Sequence, residues 1–387
     1  MKKFDVIVIG GGMVGLAFAI DLSQKKNCSI AIVEPNTINP SISKKFHTRV
    51  SAITPSSEAY LKSLNIWEDI QRKQVFVTTK VWDQNSHGRL NFHAKDENMD
   101  HLGYIIENDL IQSALFGGID KNKIECINAK LIGLNKTEAG YEVNLDNEVS
   151  FSCRLLVGAD GANSLVRILS AIEVTEHNYV QKAIIANIIG EKPFQKTTWQ
   201  RFLSDSIIAL LPLSENQASI VWSCKNNLAD ELTKLDHDKF NQSLSEAVEY
   251  RFGNLELKSD RQVFPLIERS AKDYTKPNLA LIGDAAHNIH PLAGQGVNLG
   301  FSDAKELNLQ LLANSDKILG DHSVLRKYAR ARRLDNELMA KTMTGLDWIY
   351  KENNEPLRWL RGLGMNVIDE TPILKSFFQK QALGKLE

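Results

Sequence analysis

The chain has 387 residues, 43% hydrophobic and 24% charged, a composition typical of a globular protein that divides into two or three domains. Its formal net charge of −1 at pH 7 excludes the basic field that attracts nucleic acid over long range. The four cysteines are widely spaced, which argues against a metal site or a disulfide framework and indicates a reducing, cytoplasmic compartment. No run of about 18 apolar residues occurs, so no membrane span is predicted.

The first predicted element is a buried strand, Phe4 to Ile9, which runs into the glycine-rich turn from Gly10 to Gly15 and an amphipathic helix. This is the G-x-G-x-x-G turn of dinucleotide-binding folds in its expected context, between a strand and a helix. Gly10 permits the tight bend, Gly12 lets a pyrophosphate approach the backbone, and Gly15 lets the helix pack closely on the strand.

A second strand, Ile30 to Val33, ends at Glu34. An acidic residue about 20 positions beyond the glycine turn is placed to accept hydrogen bonds from a ribose. The turn alone does not separate NAD from FAD. Its position at the N-terminus, together with the Asp284 segment far downstream, favours FAD, because FAD is long enough to need contacts from distant segments.

Two regions are predicted to form antiparallel strands. Thr78 to Asp83 and Arg89 to His93 form a hairpin, and residues 180–263 are β-rich, with strands over 183–189, 197–203, 207–211 and 218–224. We expect this sheet to have one covered face, to roof the cofactor and to line a substrate pocket. The pocket candidates are Trp199, Phe202, Leu210 and Trp222. Aromatic side chains also form sheet cores, and the pattern leaves both roles open.

Three further segments pair a strand with a helix. Gly103 to Asn108 leads into a helix over 109–116, and Leu155 onward leads through Asp160-Gly161 into a helix that contains Arg167. An Asp-Gly turn is common, so this motif is only suggestive alone. Leu279 to Ile282 forms a third buried strand, cut off by Gly283-Asp284.

A loop from His290 to Gly296 and a helix from Asn298 to Leu309 follow Asp284. Pro291 fixes the loop backbone, and its glycines remove side chains that would block a close approach. With the positive end of the helix behind it, the loop is predicted to face an anion or an electron-rich ring edge.

The C-terminal region is predicted to be helical. Leu325 to Tyr350 reads as one helix with a solvated face formed by Arg326, Arg330, Arg332 and Arg333. Beyond it, Leu357 to Leu386 repeats apolar residues at helical spacing between basic ones, with a break at Pro372. Such a tail either packs on the first domain or lies on a membrane surface.

The sequence from His290 to Asp303, HPLAGQGVNLGFSD, fits the signature of the FAD-dependent hydroxylases of ubiquinone biosynthesis, and the wider segment resembles the second FAD fingerprint of the single-component aromatic hydroxylases. The resemblance implies an α/β fold of the p-hydroxybenzoate hydroxylase type, a Rossmann-like FAD-binding domain with an inserted antiparallel substrate domain and C-terminal helices. We expect the FAD-binding domain at 1–73, 102–177 and 264–350, the substrate domain at 74–101 and 178–263, and a helical tail at 351–387.

The same resemblance implies roles for single residues. Asp284 would hold the ribitol of FAD, and the loop from Pro291 to Gly296 would face the isoalloxazine ring, as would Asn298. Glu107 occupies a place where the family often has arginine or glutamine, and its negative charge beside a pyrophosphate would be repelled unless it binds the ribose instead. His290 and His287 are expected to be structural. The predicted cofactor-binding residues are Gly10, Gly12, Met13, Gly15, Glu34, Arg49, Asp160, Gly161, Arg167, Gly283, Asp284, Ala293, Gly294, Gly296, Val297 and Asn298, and the predicted catalytic residues are Pro291, Gly294, Gln295 and Gly296.

The resemblance also implies a reaction. NADPH or NADH would reduce FAD, O2 would add at the flavin C4a, and the hydroperoxide would pass an oxygen atom to a ring carbon of a prenylated phenol. Because such a phenol partitions into the bilayer, the tail is predicted to guide peripheral association with a membrane or with a protein complex. Two alternatives stay open: a hydroxylase of a soluble aromatic, and a non-catalytic flavoprotein that serves as an assembly subunit.

Overall fold

The computed structural model describes residues 1–36, 42–84, 88–288 and 296–351, with 369–371, 375, 376 and 379; for 338–351 it describes the backbone alone. The strands are β1 (Lys2–Ile9), β2 (Ile30–Val33), β3 (Val50–Ile53), β4 (Gln74–Phe76), β5 (Thr78–Asp83), β6 (Arg89–His93), β7 (Gly103–Glu107), β8 (Ile124–Ile127), β9 (Leu131–Lys136), β10 (Tyr141–Leu145), β11 (Ser150–Gly158), β12 (Val174–Gly190), β13 (Thr197–Phe202), β14 (Ser206–Pro212), β15 (Gln217–Lys225), β16 (Leu255–Leu257), β17 (Gln262–Ala271), β18 (Thr275–Lys276), β19 (Leu279–Leu281) and β20 (His287–Asn288).

The α-helices are α1 (Met13–Lys25), α2 (Pro55–Ser63), α3 (Asn108–Gly117), α4 (Leu165–Leu169), α5 (Asn226–Lys234), α6 (His237–Ala247), α7 (Gly296–Ala313) and α8 (His322–Lys351). Two 3-10 turns, Ala94–Glu97 and Gly283–Ala285, complete the described elements. None of the helices that the structure describes is long and apolar enough to cross a bilayer.

An eight-stranded sheet forms the centre of the first domain, in the order β18-β19-β11-β1-β2-β8 with β9 and β10 attached to β11. Its five central strands, from β19 to β8, are parallel. Strands β2 and β19 and the C-terminal halves of β1 and β11 are continuous apolar runs because both of their faces are buried, as expected for the centre of a parallel sheet. Helix α1 packs against α3 and α7, and α7 packs against α8.

Four of these strands end side by side. Ile9 pairs with Val33 on one side and with Gly158 on the other, and Gly158 pairs with Leu281. The residues that follow each strand therefore emerge along a single edge. In parallel α/β sheets, the carboxyl ends of the strands are where ligands bind.

The second large sheet has nine strands in the order β20-β17-β12-β15-β14-β13-β5-β6, with β16 on β12. Neighbouring strands are antiparallel except β13 and β5. Successive side chains of a strand point to opposite faces, so this sheet has two chemically separate sides.

The outer face of the nine-stranded sheet is covered by α5 and α6. Its buried side chains form what we call the outer cluster, whose main members are Trp82, Ile184, Ile188, Trp199, Leu210, Ile220, Trp222, Phe240, Leu244 and Phe252. These two helices are absent from the predicted β-rich pattern. Leu228 and Leu232, and Phe240 and Leu244, stand four residues apart, and Asp236 caps α6 through a 2.8 Å hydrogen bond from Lys239 N.

The inner face of the nine-stranded sheet is turned toward a small three-stranded sheet, β3-β7-β4. Side chains from both sheets form the inner cluster, which comprises Ala52, Phe76, Ala94, Leu102, Ile105, Leu211 and Leu213, with Val50, Phe92 and Val221 packed against it. Side chains of the nine-stranded sheet also hold the segment just before β3: Asn187 Nδ2 donates to Phe46 O at 2.8 Å and to His47 O at 3.3 Å, and Ser219 Oγ donates to Thr48 O at 3.3 Å.

Two predicted features differ from the structure. Strand β17 begins at Gln262 and belongs to the nine-stranded sheet, although most of it was predicted to lie in the FAD-binding domain. Arg332, predicted to be solvated with its neighbours, is buried, and its Nε donates to Asp303 at 2.8 Å. Arg332 lies on the side of α8 that packs on α7, whereas Arg326, Arg330 and Arg333 are exposed.

Candidate active site

The glycines of the turn after β1 have two kinds of role: Gly10 and Gly15 are required by protein packing, and Gly12 leaves space open for a ligand. Gly10 has a φ of +110°, and a Cβ added there would lie 2.3 Å from Ala159 O; one added at Gly15 would lie 2.1 Å from Gly10 O. A Cβ at Gly12 would meet no atom of the described residues within 4 Å. Gly12 is the N-cap of α1 and supplies no capping side chain, so the first N–H groups of the helix stay available for an anion.

Glu34 lies beside this turn. Its Oε2 accepts a hydrogen bond from Gly11 N at 2.9 Å, and its Oε1 accepts from Asn36 N at 3.0 Å. On the other side, Gln112 Nε2 of α3 donates to Gly11 O at 2.8 Å. Gln112 was not identified from the sequence, because it lies a full turn inside a helix and no local motif marks it.

The Asp160-Gly161 segment follows β11 directly. Asp160 accepts hydrogen bonds from Ser164 Oγ (2.6 Å), Leu165 N (2.7 Å) and Val166 N (3.1 Å), so its carboxylate caps α4. Burial raises the pKa of Asp160 despite these hydrogen bonds. At Gly161, with a φ of +79°, an added Cβ would meet no atom of the described residues within 4 Å. The ligand-facing part of this segment is therefore its backbone.

Arg167 is buried, and its guanidinium joins two of the predicted segments. Nη1 donates to Ala285 O at 2.8 Å, next to Asp284, and Nη2 donates to Ala162 O at 2.7 Å, next to Gly161. In the structure Arg167 links the loops after β11 and β19.

Asp284 lies in the 3-10 turn that follows β19. Gly283 before it has a φ of +60°, in the left-handed region that favours glycine. Asp284 is exposed to solvent, but enough protein lies around its carboxylate that desolvation raises the pKa of Asp284 against the lowering effects of His287, Asn288 and Arg49. Its described hydrogen bond is a long one, 3.4 Å from Asn288 Nδ2. The carboxylate thus remains able to accept hydrogen bonds from a ligand.

The loop predicted to face the isoalloxazine ring is only partly described. His290, Pro291, Ala293, Gly294 and Gln295 lie outside the described residues. Gly296 and Val297 begin α7, and an added Cβ at Gly296 would meet no atom of the described residues within 4 Å.

Asn298 was predicted to face the isoalloxazine ring, and its side chain is held by two backbone groups of the protein. Its Nδ2 donates to Ala52 O at 2.7 Å, and its Oδ1 accepts from Thr54 N at 3.1 Å. The amide is buried and fixes the start of α7 to the end of β3.

Arg49 lies between the two domains. Its guanidinium stacks over the Phe264 ring of β17, 5.5 Å from the ring centre, and its charge lowers the pKa of Asp284. The position of Arg49 depends on Glu107, which accepts from His47 N at 2.7 Å, two residues before Arg49.

Glu107 itself is buried and forms a two-pronged ion pair with Arg72, at 2.9 Å for each contact. Its charge is therefore neutralised within the protein. The repulsion expected from an acid at this place does not arise, because the carboxylate organises the Arg49 loop instead.

The four pocket candidates divide between the faces of the nine-stranded sheet. Trp199, Leu210 and Trp222 lie in the outer cluster and pack toward α5 and α6. Phe202 is buried and, by the alternation of β13, belongs to the inner face. Three of the four are thus core residues on the side away from the first domain. They were predicted to line a pocket because the sequence pattern did not reveal the helices that cover that side.

The chain matches the family model described as "FAD binding domain" over residues 3–342. It is 32% identical to the 3-demethoxyubiquinol 3-hydroxylase of Escherichia coli K12, over 98% of each chain. It is also 32% identical to the human ubiquinone biosynthesis monooxygenase COQ6, over 96% of this chain and 91% of that protein.

Among solved structures, PqsL of Pseudomonas aeruginosa in complex with 2-aminobenzoylacetate superposes with a TM-score of 0.79 at 20% identity, covering 94% of this chain and all of PqsL. The p-nitrophenol 4-monooxygenase PnpA of Pseudomonas putida DLL-E4 gives the same TM-score at 16% identity, with both chains covered completely. At these identities the likeness concerns the fold.

The family match and the two relatives, together with the glycine and acid residues at the strand ends, identify the chain as a FAD-dependent monooxygenase. More narrowly, the chain belongs to the FAD-binding family that includes the ubiquinone-biosynthesis hydroxylases. The open backbone at Gly12 and Gly161 and the available carboxylate of Asp284 are groups that would hold FAD at the strand ends.

Proposed function

We propose that this chain hydroxylates the aromatic ring of a prenylated phenol in ubiquinone biosynthesis and consumes NADH or NADPH together with O2. The observation that carries the proposal is the end-to-end similarity to proteins named for that pathway. The similarity thus extends over both the parallel sheet and the nine-stranded sheet of this chain.

In this proposal the first domain holds FAD along the edge where four strands end. Gly12 admits the pyrophosphate to the N-terminus of α1, Glu34 accepts hydrogen bonds from the ribose, and Asp284 accepts hydrogen bonds from the ribitol. When bound, FAD supplies the electron transfer and the activation of O2. As the family resemblance implies, the segment from Pro291 to Gly296 would orient the isoalloxazine ring.

The substrate ring would lie on the inner face of the nine-stranded sheet. Val50, Phe92 and Val221 are only partly buried there, and Val50 follows Arg49 directly. An apolar lining of this kind accepts an aromatic ring and excludes water from the reacting centre. These residues replace Trp199, Leu210 and Trp222 as the substrate-side candidates.

The proposed activity is tested with the purified, FAD-loaded chain. O2 uptake and NAD(P)H oxidation are measured with a prenylated phenol, with a small aromatic acid and with neither. We expect the prenylated phenol to accelerate NAD(P)H oxidation about tenfold or more, since binding energy from the prenyl chain helps to position the ring. Stimulation by the acid alone would indicate a hydroxylase of soluble aromatics, and FAD binding without any stimulation would indicate an assembly subunit.

Analysis of a deletion strain complements the assay. The intermediate that accumulates shows which ring carbon stays unhydroxylated. Expression of the chain in the deletion strain should then consume that intermediate.

We further propose that the C-terminal tail guides peripheral association with a membrane or with partner proteins. The described tail residues contact β6, the edge strand of the nine-stranded sheet. Asp369 accepts from Asn91 N at 3.0 Å, Lys375 pairs with Asp96 at 3.0 Å, and Gln379 Nε2 donates to His93 O at 3.0 Å. These described tail residues therefore lie beside the nine-stranded sheet, which is the proposed substrate domain.

Truncation before Pro372 tests the role of the tail. We expect the truncated chain to keep FAD and to lose recovery with vesicles or partner proteins. Loss of flavin, or aggregation, would instead assign the tail a structural role in covering β6.

A further inference from the structure

One buried carboxylate, that of Asp303 in α7, contacts both ends of the turn that carries Asp284. Its Oδ2 accepts hydrogen bonds from Gly283 N at 2.9 Å and from His287 Nε2 at 2.5 Å. Gly283 directly precedes Asp284, and His287 follows it by three residues. The two donors therefore bracket the turn, and a single oxygen atom sets the distance between its ends.

The other oxygen of Asp303 is held by the long helix α8. Its Oδ1 accepts from Arg332 Nε at 2.8 Å, while Arg332 Nη2 donates to Asn336 Oδ1 at 3.1 Å and Arg332 Nη1 to Asp335 at 2.8 Å. Asp303 is fully buried, and a buried carboxylate needs such a partner to remain ionised. Burial alone would raise its pKa, but His287 and Arg332 hold the pKa of Asp303 below its usual range.

The rest of the turn is also fixed from outside. The Tyr274 ring stacks on His287 with ring centres 5.8 Å apart, and Arg167 donates to Ala285 O. Asp284 alone among the residues of this turn presents its side chain to solvent. The surrounding groups hold the backbone, and Asp284 is left to meet a ligand.

We propose that Asp303 is a positioning residue for FAD: by accepting hydrogen bonds from Gly283 and His287 it fixes the turn that aims the Asp284 carboxylate. The inference rests on the proposed role of Asp284 in binding FAD. Positioning of this kind matters because a shift of about 1 Å in a binding group is enough to lose most of a directional hydrogen bond.

The test uses two double variants of the full-length chain, D303N/R332M and D303L/R332M. Both remove the ion pair between Asp303 and Arg332, so neither variant leaves one of these two charges unpaired in the core. Only D303N/R332M keeps a carbonyl oxygen that can accept from Gly283 N. The dissociation constant of FAD, followed by the quenching of its fluorescence, should be about tenfold or more higher for D303L/R332M than for D303N/R332M.

A third variant separates positioning from stability. Leu307 is a fully buried residue one turn further along the same helix, and L307A lowers stability through a cavity without removing a hydrogen bond from the turn. We expect L307A to melt at a lower temperature but to bind FAD within about threefold of wild type. If the FAD dissociation constants instead follow the melting temperatures of the apo variants, Asp303 has only a structural role and the proposal fails.

The visible circular dichroism of the bound flavin gives a second readout, which should change in D303L/R332M and stay as in wild type in L307A. If D303L/R332M does not fold, H287F decides the question, because it keeps the ring beside Tyr274 and removes one of the two donors. A several-fold weaker binding of FAD by H287F supports the proposal, and unchanged binding overturns it.

D284A is measured beside these variants. If D284A keeps FAD, the proposed role of Asp284 fails. If D284A loses FAD while D303L/R332M keeps it, only the role of Asp303 fails.

Discussion

The two large sheets of this protein differ in how directly their sequences reveal which side faces a ligand. In the parallel sheet, glycines and acids follow the strand ends, and topology places all of these ends on one edge. In the nine-stranded sheet, both faces are apolar because α5 and α6 cover one and the inner cluster covers the other. Alternation separates the two faces of a strand, but it does not state which face meets which partner.

The first prediction uses neighbouring residues on opposite faces of β15. Trp222→Ala should cost about 3–5 kcal/mol of unfolding free energy, because the indole is buried in the outer cluster and donates to Ser206 Oγ at 3.1 Å. Val221→Ala, on the partly open inner face, should cost less than about 1.5 kcal/mol. Urea unfolding of both variants measures this difference.

Val221 can also be tested in the NAD(P)H oxidation assay. Val221→Trp should weaken the effect of the prenylated phenol on NAD(P)H oxidation and leave FAD binding intact. A larger stability loss at Val221 than at Trp222 would show that the two faces have been assigned in reverse.

The second prediction concerns the ligand edge. Gly12→Val should weaken FAD binding by about 100-fold or more, because the added side chain occupies the space through which a pyrophosphate reaches the backbone. The apo chain should melt at nearly the same temperature as wild type, since a Cβ there meets no described atom within 4 Å. Gly11→Ala is the matched control at a spacer position, and equal loss of FAD in both variants would mean that the turn is misplaced.

The third prediction concerns Asp284. Purified wild-type chain should be yellow, whereas Asp284→Ala should bind FAD roughly tenfold to 100-fold more weakly, because it loses charge-assisted hydrogen bonds. Isothermal titration of the apo proteins with FAD measures both constants. Full flavin occupancy of the variant at micromolar concentration would contradict the assignment.

The fourth and smallest effect is a pH dependence of the apo chain. The raised pKa of Asp284 means that the folded state binds this proton more tightly than the unfolded state, so stability falls as pH rises through the raised pKa. Asp284→Asn should therefore raise the melting temperature at neutral pH, and the gain should vanish below the ordinary pKa of aspartate.

Asp303 provides the control with the opposite sign. Its pKa is depressed, so its contribution to stability is present above the ordinary pKa of aspartate and is lost as pH falls through the depressed value. Asp303→Asn should lower the melting temperature at neutral pH. Equal shifts in the two variants would mean that the acids share one environment.

Much of the fold and of the cofactor edge was predictable because each signal was local. A strand, a glycine turn and an acid lie within about 25 residues of one another at the N-terminus, and the family signature spans His290 to Asp303 without interruption. The side-chain contacts that the sequence did not predict depend on distant partners. Asn298 bonds to Ala52, Glu107 pairs with Arg72, and Arg167 reaches Ala285, and no local pattern encodes such contacts.

The order of strands in the parallel sheet has a consequence for synthesis of the chain. Strand β1 is made first but lies in the middle of the sheet, and its partner β11 pairs Phe151 with Lys2, 149 residues later. At roughly 5–20 residues per second, one edge of β1 waits about 7–30 s on the ribosome for that partner. Asp284 follows Glu34 by 250 residues, so the nascent chain cannot assemble its FAD site until most of it has been made. The open edge of β1 must therefore be protected until β11 has been made, and the proposed contact of Asp284 with FAD becomes possible only later, once residue 284 has been synthesised.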